Sequence, residues 1–161
     1  MIIRRSLPLL GTLILVGVVM QASQASIINS VKQQIQSAYD QADAAASRKD
    51  TNAAVAHYAD PGMAQVTKAG LSRLLAITQQ QVFSTKIGSI TMSKNDIFSA
   101  TVVVRQHFQG LSQKNKGKIE LLAYDAKIRE YWIKRGPSWL VLRSRTLAFQ
   151  RTLNSKPVNN W

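Results

Sequence analysis

The spacing of apolar residues along this chain changes period once, from helical to alternating, and that change constrains the fold more than any other feature. Ile28, Val31, Ile35, Ala38, Ala42 and Ala45 recur at steps of three and four, one stripe of an amphipathic helix, with Gln33, Gln34, Gln36, Asp40 and Gln41 largely off it. Asp50 predicts the N-cap of a short second helix carrying Ala53, Val55 and Tyr58, and Asp60-Pro61-Gly62 predicts its end. A third helix carries Leu71, Leu74, Leu75, Thr78 and Val82 on one face, with Gln79-Gln80-Gln81 solvated. From Thr85 onward the pattern alternates: Phe98, Ala100, Val102, Val104 and Phe108 share one strand face, and Ser99, Thr101, Arg105 and His107 the other. Turn residues at 93–96, 110–117 and 135–138 divide this half into runs of roughly 85–92, 97–109, 118–134 and 139–151. Three helices followed by four consecutively connected strands predict an α+β domain, a strongly curved four-stranded antiparallel sheet with the helices packed on one face. The last two runs are long enough to require bends or bulges.

The residues before the first stripe read as an address. Arg4 and Arg5 precede the apolar run Leu7 to Met20, and Ser23-Gln24-Ala25 places small residues at the −3 and −1 positions of a cleavage site. Residues 1–25 are therefore expected to be a secretory signal peptide, 26–151 one domain, and 152–161 a C-terminal tail, with the protein in the periplasm or outside the cell. The run of 14 apolar residues is short for a membrane span, which needs about 20. A chain of 161 residues supports one domain of ordinary size. It contains no cysteine, which excludes disulfides, thiol nucleophiles and Cys-ligated metals, and its two histidines make a multi-His metal site unexpected. No cofactor or metal is expected.

A resemblance emerges from the order of these elements. The amphipathic first helix, the short helix closing with Ala-His-Tyr-Ala-Asp-Pro (Ala56 to Pro61), the third helix, and the late strand pair from Tyr131 to Val141 with its Gly-x-x-Trp turn at Gly136 to Trp139 resemble the nuclear transport factor 2-like superfamily. Within it the SnoaL-like and ketosteroid-isomerase-like group is most similar, over Ile28 to Phe149. The resemblance implies a sheet curled around the helices into a cone, whose interior often holds a small hydrophobic ligand or an active site. It also implies members that only bind or assemble, so the fold by itself does not establish catalysis.

Ketosteroid isomerase uses an Asp base with an oxyanion hole of Tyr and protonated Asp. Tyr39 lies on the first helix roughly where such a Tyr sits, but the carboxylates do not follow, so the isomerase roles are not carried over. Glu130 is the acid flanked on its own strand face by large apolar residues, Ile128 and Trp132. Hairpin register decides its role. With the loop Arg135 to Ser138, Lys134 pairs with Trp139 and Glu130 faces Arg143, giving a cross-strand ion pair; a shift of one residue places Glu130 opposite Ser144 or Leu142, toward the apolar side. The ion pair is the favoured expectation. Glu130 and Tyr39 are the candidate catalytic residues, and Tyr39, Trp132 and Trp139 the candidates for lining a ligand site. His57 and His107 read as solvated or hydrogen-bonded histidines.

Charge supplies the other signal. The chain carries a formal +13, and residues 101–161 hold 12 basic side chains against 3 acidic ones. Lys127, Arg129, Arg143, Arg145 and Arg151 punctuate two strands expected to be neighbours, and Lys114, Lys116 and Lys118 sit in or beside one loop. Such a face attracts anionic lipid or acidic polysaccharide; secretion disfavours nucleic acid. Three function classes remain open: a binding module for a small apolar or amphipathic molecule, an isomerase, cyclase or hydratase, and an envelope-interaction or assembly protein, with a homodimer compatible with each.

Overall fold

The computed structural model describes residues 10–112 and 118–158, with side chains of the first helix described from residue 24 onward. The order is α1 (Leu10–Ser47), α2 (Thr51–Ala54), α3 (Pro61–Ala76), β1 (Thr78–Met92), β2 (Ser99–Ser112), β3 (Glu120–Arg135), β4 (Ser138–Leu153) and β5 (Lys156–Pro157). The five strands form one antiparallel sheet in the order β1-β2-β3-β4-β5, and the helices cover one face. Among the described residues no helix is long and apolar enough to cross a membrane.

The α1 stripe packs as its spacing demands. Val31, Ile35, Tyr39, Ala42 and Ala46 are buried, and small residues in the last two turns let the helix approach the sheet closely. Two polar side chains of α1 then close the outer edge of β1. Gln36 donates from Nε2 to the Thr85 carbonyl at 2.7 Å and accepts from the Ile87 amide at 3.1 Å, while Asp43 accepts from the Thr85 amide at 2.6 Å. A helix thereby satisfies backbone groups that an edge strand would otherwise leave to water.

Four boundaries differ from expectation, each for a tertiary reason. Asp50 caps α2 through the Ala53 amide, but α2 ends after Ala54 because residues 57–59 leave the helix to bond β4 at Val141. Asp60 and Pro61 start α3 as well as ending what precedes it, with Asp60 accepting from the Met63 amide and Pro61 in the first turn, where its missing N–H costs nothing. The helix expected to continue through Val82 stops at Ala76. Thr78 instead pairs with Ser112, Gln80 takes a positive φ of 50° in a bulge, and Gln81, expected solvated, is buried with its amide donating to the Ser47 carbonyl at the end of α1. The sheet gains a fifth strand because the chain continues β4 to Leu153, turns at Asn154-Ser155, where both residues have positive φ, and returns as β5.

The hairpin between β3 and β4 uses two loop residues, Gly136 and Pro137, with Arg135 paired to Ser138 and Lys134 to Trp139. Gly136 has φ of 58°, the left-handed first position that a type II′ turn requires, which leaves Pro137 at a position its fixed φ tolerates. From this turn the predicted register holds as far as Trp132 facing Val141.

Candidate functional site

Past Val141 the register changes. Leu142 is one residue too many for β3, so Tyr131 faces Arg143 and Glu130 faces Ser144. This bulge overturns the expected ion pair between Glu130 and Arg143. It sends Arg143 and Arg145 to the outer face of the sheet, opposite Tyr131 and Arg129, and leaves Glu130 on the inner face in a row with Ile90, Val102 and Ser144.

Glu130 is 3% exposed and has no cationic partner among the described residues. Its carboxylate accepts from the Tyr39 hydroxyl, from Trp132 Nε1 at 3.1 Å and from Ser144 Oγ at 3.4 Å. Burial pushes its pKa above the usual carboxylate range, outweighing three donors that act the other way. Tyr39 is held neutral for the same reason, by its own burial and then by the neighbouring carboxyl.

One turn further along α1, Asp43 faces the same space. It is anchored to β1 by the Thr85 amide at 2.6 Å and the Thr85 hydroxyl at 3.0 Å, and burial raises its pKa against those bonds. His57 approaches from the opposite side. Its backbone is pinned to β4, the Val141 amide donating to the His57 carbonyl at 2.8 Å and the Ala59 amide to the Val141 carbonyl at 2.7 Å. The ring stacks on Trp132 at 5.8 Å, meets Tyr39 edge-on at 6.0 Å and lies 4.5 Å from Tyr58. Burial lowers the His57 pKa to about 4, outweighing a backbone hydrogen bond at Ala54 that acts the other way, so the imidazole is neutral near pH 7. Tyr58 is pushed up to about 12 by burial.

These groups border one cavity of about 310 Å³. Its apolar wall comes from Val55, Leu71, Leu74, Phe83, Val104 and Ile128, and its polar groups from Tyr39, Asp43, His57, Tyr58, Gln106, Tyr124, Glu130 and Arg151. Tyr39 and Glu130 are thus brought together at this cavity. Trp132 and Trp139, expected to line a ligand site, do not border this cavity: Trp132 is fully buried between α1 and the sheet, and Trp139 is 5% exposed beside a separate hollow, with Nε1 donating to Gln34 Oε1 at 3.2 Å. Asp43 and His57 were not singled out from sequence as site residues, and Arg151, expected on the basic outer face, lies on the inner one. Asp43 carried a usable signal, since it follows Tyr39 by four on a helix; the other two depend on strand pairings that no local spacing encodes.

Lys127, Arg129, Arg143 and Arg145 are exposed on the opposite, outer face. There Lys86, Arg105 and Lys127 form one cross-strand row, and Arg129 faces Arg145 in the next. Lys118 is exposed beside them in sequence; Lys114 and Lys116 lie outside the described residues. His107 is on this face too, with Nδ1 2.9 Å from Asp125. No group of three or more His, Cys, Asp or Glu among the described residues is placed to hold a metal.

No protein-family model matches the sequence, and no curated protein matches it significantly. Solved structures do resemble it in shape. A scytalone dehydratase-like protein from Novosphingobium aromaticivorans superposes with a TM-score of 0.59 at 11% identity, covering 78% of this chain and 89% of that one. A hexachlorocyclohexane dehydrochlorinase from Novosphingobium barchaimii gives 0.57 at 8% identity, covering 84% and 99%. A nuclear transport factor 2-like superfamily protein from Salmonella enterica gives 0.54 at 12% identity, covering 73% and 90%. With an open antiparallel sheet curled over three helices and these neighbours in shape, the chain has the nuclear transport factor 2-like fold.

Proposed function

We propose that the protein binds a small amphipathic molecule inside the cone. The observation that carries this reading is the cavity of about 310 Å³ with the Glu130 carboxyl at its wall, a volume at the lower end of the roughly 300–1,000 Å³ typical of ligand sites. Native mass spectrometry of protein purified from its own host tests it. A retained small molecule in the wild type, absent from a cavity-filling Leu71→Trp variant, is the expected result; empty protein in both removes the reading.

A second reading, an acid–base enzyme on the same cavity, rests on the neutral His57 imidazole and the Glu130 carboxyl, its pKa raised by burial, lining one space. The names of two fold neighbours, a dehydratase and a dehydrochlorinase, describe eliminations, which remove a proton from carbon and expel a leaving group. Incorporation of solvent deuterium into the retained molecule, lost in Glu130→Gln and in His57→Phe, supports catalysis; no incorporation in the wild type leaves binding alone.

Two wider assignments belong to the same proposal. Export is supported by the Arg4-Arg5, apolar and small-residue pattern around Ala25; N-terminal sequencing should begin at Ser26. Attraction to anionic surfaces is supported by the like-charged cross-strand neighbours Arg105 and Lys127, and Arg129 and Arg145, an arrangement that opposes pairing of two copies through this face. Binding to anionic but not neutral lipid vesicles, lost in Lys127→Glu with Arg129→Glu, tests it.

A further inference from the structure

The innermost rows of the sheet end in an anomaly. Phe83, Phe108 and Tyr124 are direct cross-strand partners on β1, β2 and β3, with successive ring centroids 4.8 and 5.1 Å apart, and the fourth place in this aromatic row, on β4, is taken by Arg151. Arg151 is half-buried, a cation on the inner face of a cone in a row that otherwise builds apolar wall, and so a place for an anionic partner. Among the described residues Arg151 makes no ion pair. Asp43 is engaged by Thr85, and Glu130 by Tyr39, Trp132 and Ser144. What the guanidinium does meet is the Phe149 ring, 5.5 Å from its centroid, which steadies it without neutralising it.

The chain also spends its last described residues on holding this position. The Val158 amide donates to the Arg151 carbonyl at 3.0 Å, Thr152 and Leu153 pair with Pro157 and Lys156, and Asn154 bonds the backbone of Leu121 through both its amide and its side chain, each at 2.8 Å. Residues 152–158, the described part of the C-terminal tail, thus brace the end of β4 from both sides.

Building on the cavity reading above, we propose that Arg151 is the charge-selective anchor of that cavity, and that the ligand class is an amphipathic molecule with a compact ring-like body and one oxyanion group, such as a carboxylate. The planar guanidinium fork matches two oxygens of such a group, while the rings of Phe83, Tyr124 and Phe149 with Leu71 and Leu74 take the body. Phe149, 53% exposed at the same margin, marks the side from which the molecule enters.

A matched pair of fluorescent probes tests this with the full chain: 8-anilinonaphthalene-1-sulfonate and N-phenyl-1-naphthylamine, the same ring body with and without the anion. Wild-type protein is expected to bind the sulfonate at least about tenfold tighter. Arg151→Gln should remove the preference by weakening the sulfonate at least about tenfold, and Arg151→Lys should keep part of it. A preference that survives Arg151→Gln, or that disappears instead in Arg129→Gln with Arg145→Gln on the outer face, overturns the assignment. Equal binding of both probes by the wild type overturns the charge selectivity alone. Failure of both to saturate overturns the cavity reading and this one with it.

Discussion

Glu130, buried, and Asp43, half-buried, are carboxyls on one cavity wall, and the fold treats them in opposite ways. Asp43 is spent on architecture, since its two oxygens hold the backbone amide and hydroxyl of Thr85 and so fasten α1 to the edge of β1. Glu130 bonds only side chains, none of which needs it to complete a helix or a ladder. The difference teaches where chemistry has room. An acid that satisfies backbone cannot change its protonation or partners without loosening an element, whereas one held by a hydroxyl, an indole and a second hydroxyl exchanges them freely.

The sharpest way to break this contrast is Trp132→Ala, which removes one of the three donors that hold Glu130 and empties the place of a fully buried ring. Stability should fall by roughly 3–5 kcal/mol in denaturant unfolding.

Acid comes next in size. His57, ordinarily near 6.5 and lowered to about 4 by burial, binds its proton more readily in the unfolded chain, so stability should drop by about 3 kcal/mol as pH falls from 6.5 to 4. Both carboxyls have raised pKa values and work in the opposite sense: the ionised forms that burial penalises at neutral pH are relieved as pH falls. His57→Phe should therefore turn a loss on acidification into a gain, and a melting series that still declines would mean the histidine is not the group responsible.

Asp43→Ala leaves the buried Thr85 amide and hydroxyl unpaired and should cost about 1–3 kcal/mol. Glu130→Gln should be the smallest, changing stability by less than about 1 kcal/mol at neutral pH, because the desolvation penalty of the charge disappears along with part of its hydrogen bonding. If the two substitutions cost the same, the division between an architectural and a chemical carboxyl does not hold.

The legible parts of this fold were those written in short-range pattern: the α1 stripe, the caps at Asp50 and Asp60, the alternation that buries Ala100, Val102, Val104 and Phe108. The register around the Gly136-Pro137 turn was legible too, up to Val141. What escaped was decided by single residues with no local mark. Leu142 looks like any strand leucine, yet its insertion inverts the faces of everything after it until Leu147 makes a second bulge. Gln79 to Gln81 look like solvated helix, yet pairing with β2 and the exposed end of α1 pull them into the sheet. The candidate acid was visible, but its isolation from every cation was not.

The bulges at Leu142 and Leu147 have a second consequence. Between Val141 and Thr152, β4 is the outermost strand, and an outermost strand offers its unpaired amides and carbonyls as a template on which another chain can add. Here that stretch is kinked twice and carries Arg143, Arg145 and Arg151 in place of a flat apolar run. Under the export proposed above, the chain would assemble its long sheet only after crossing a membrane, and so would meet the hazard of intermolecular strand addition at the moment it is least protected. The irregularity that isolates Glu130 is also the one that makes this edge a poor seed for fibrils.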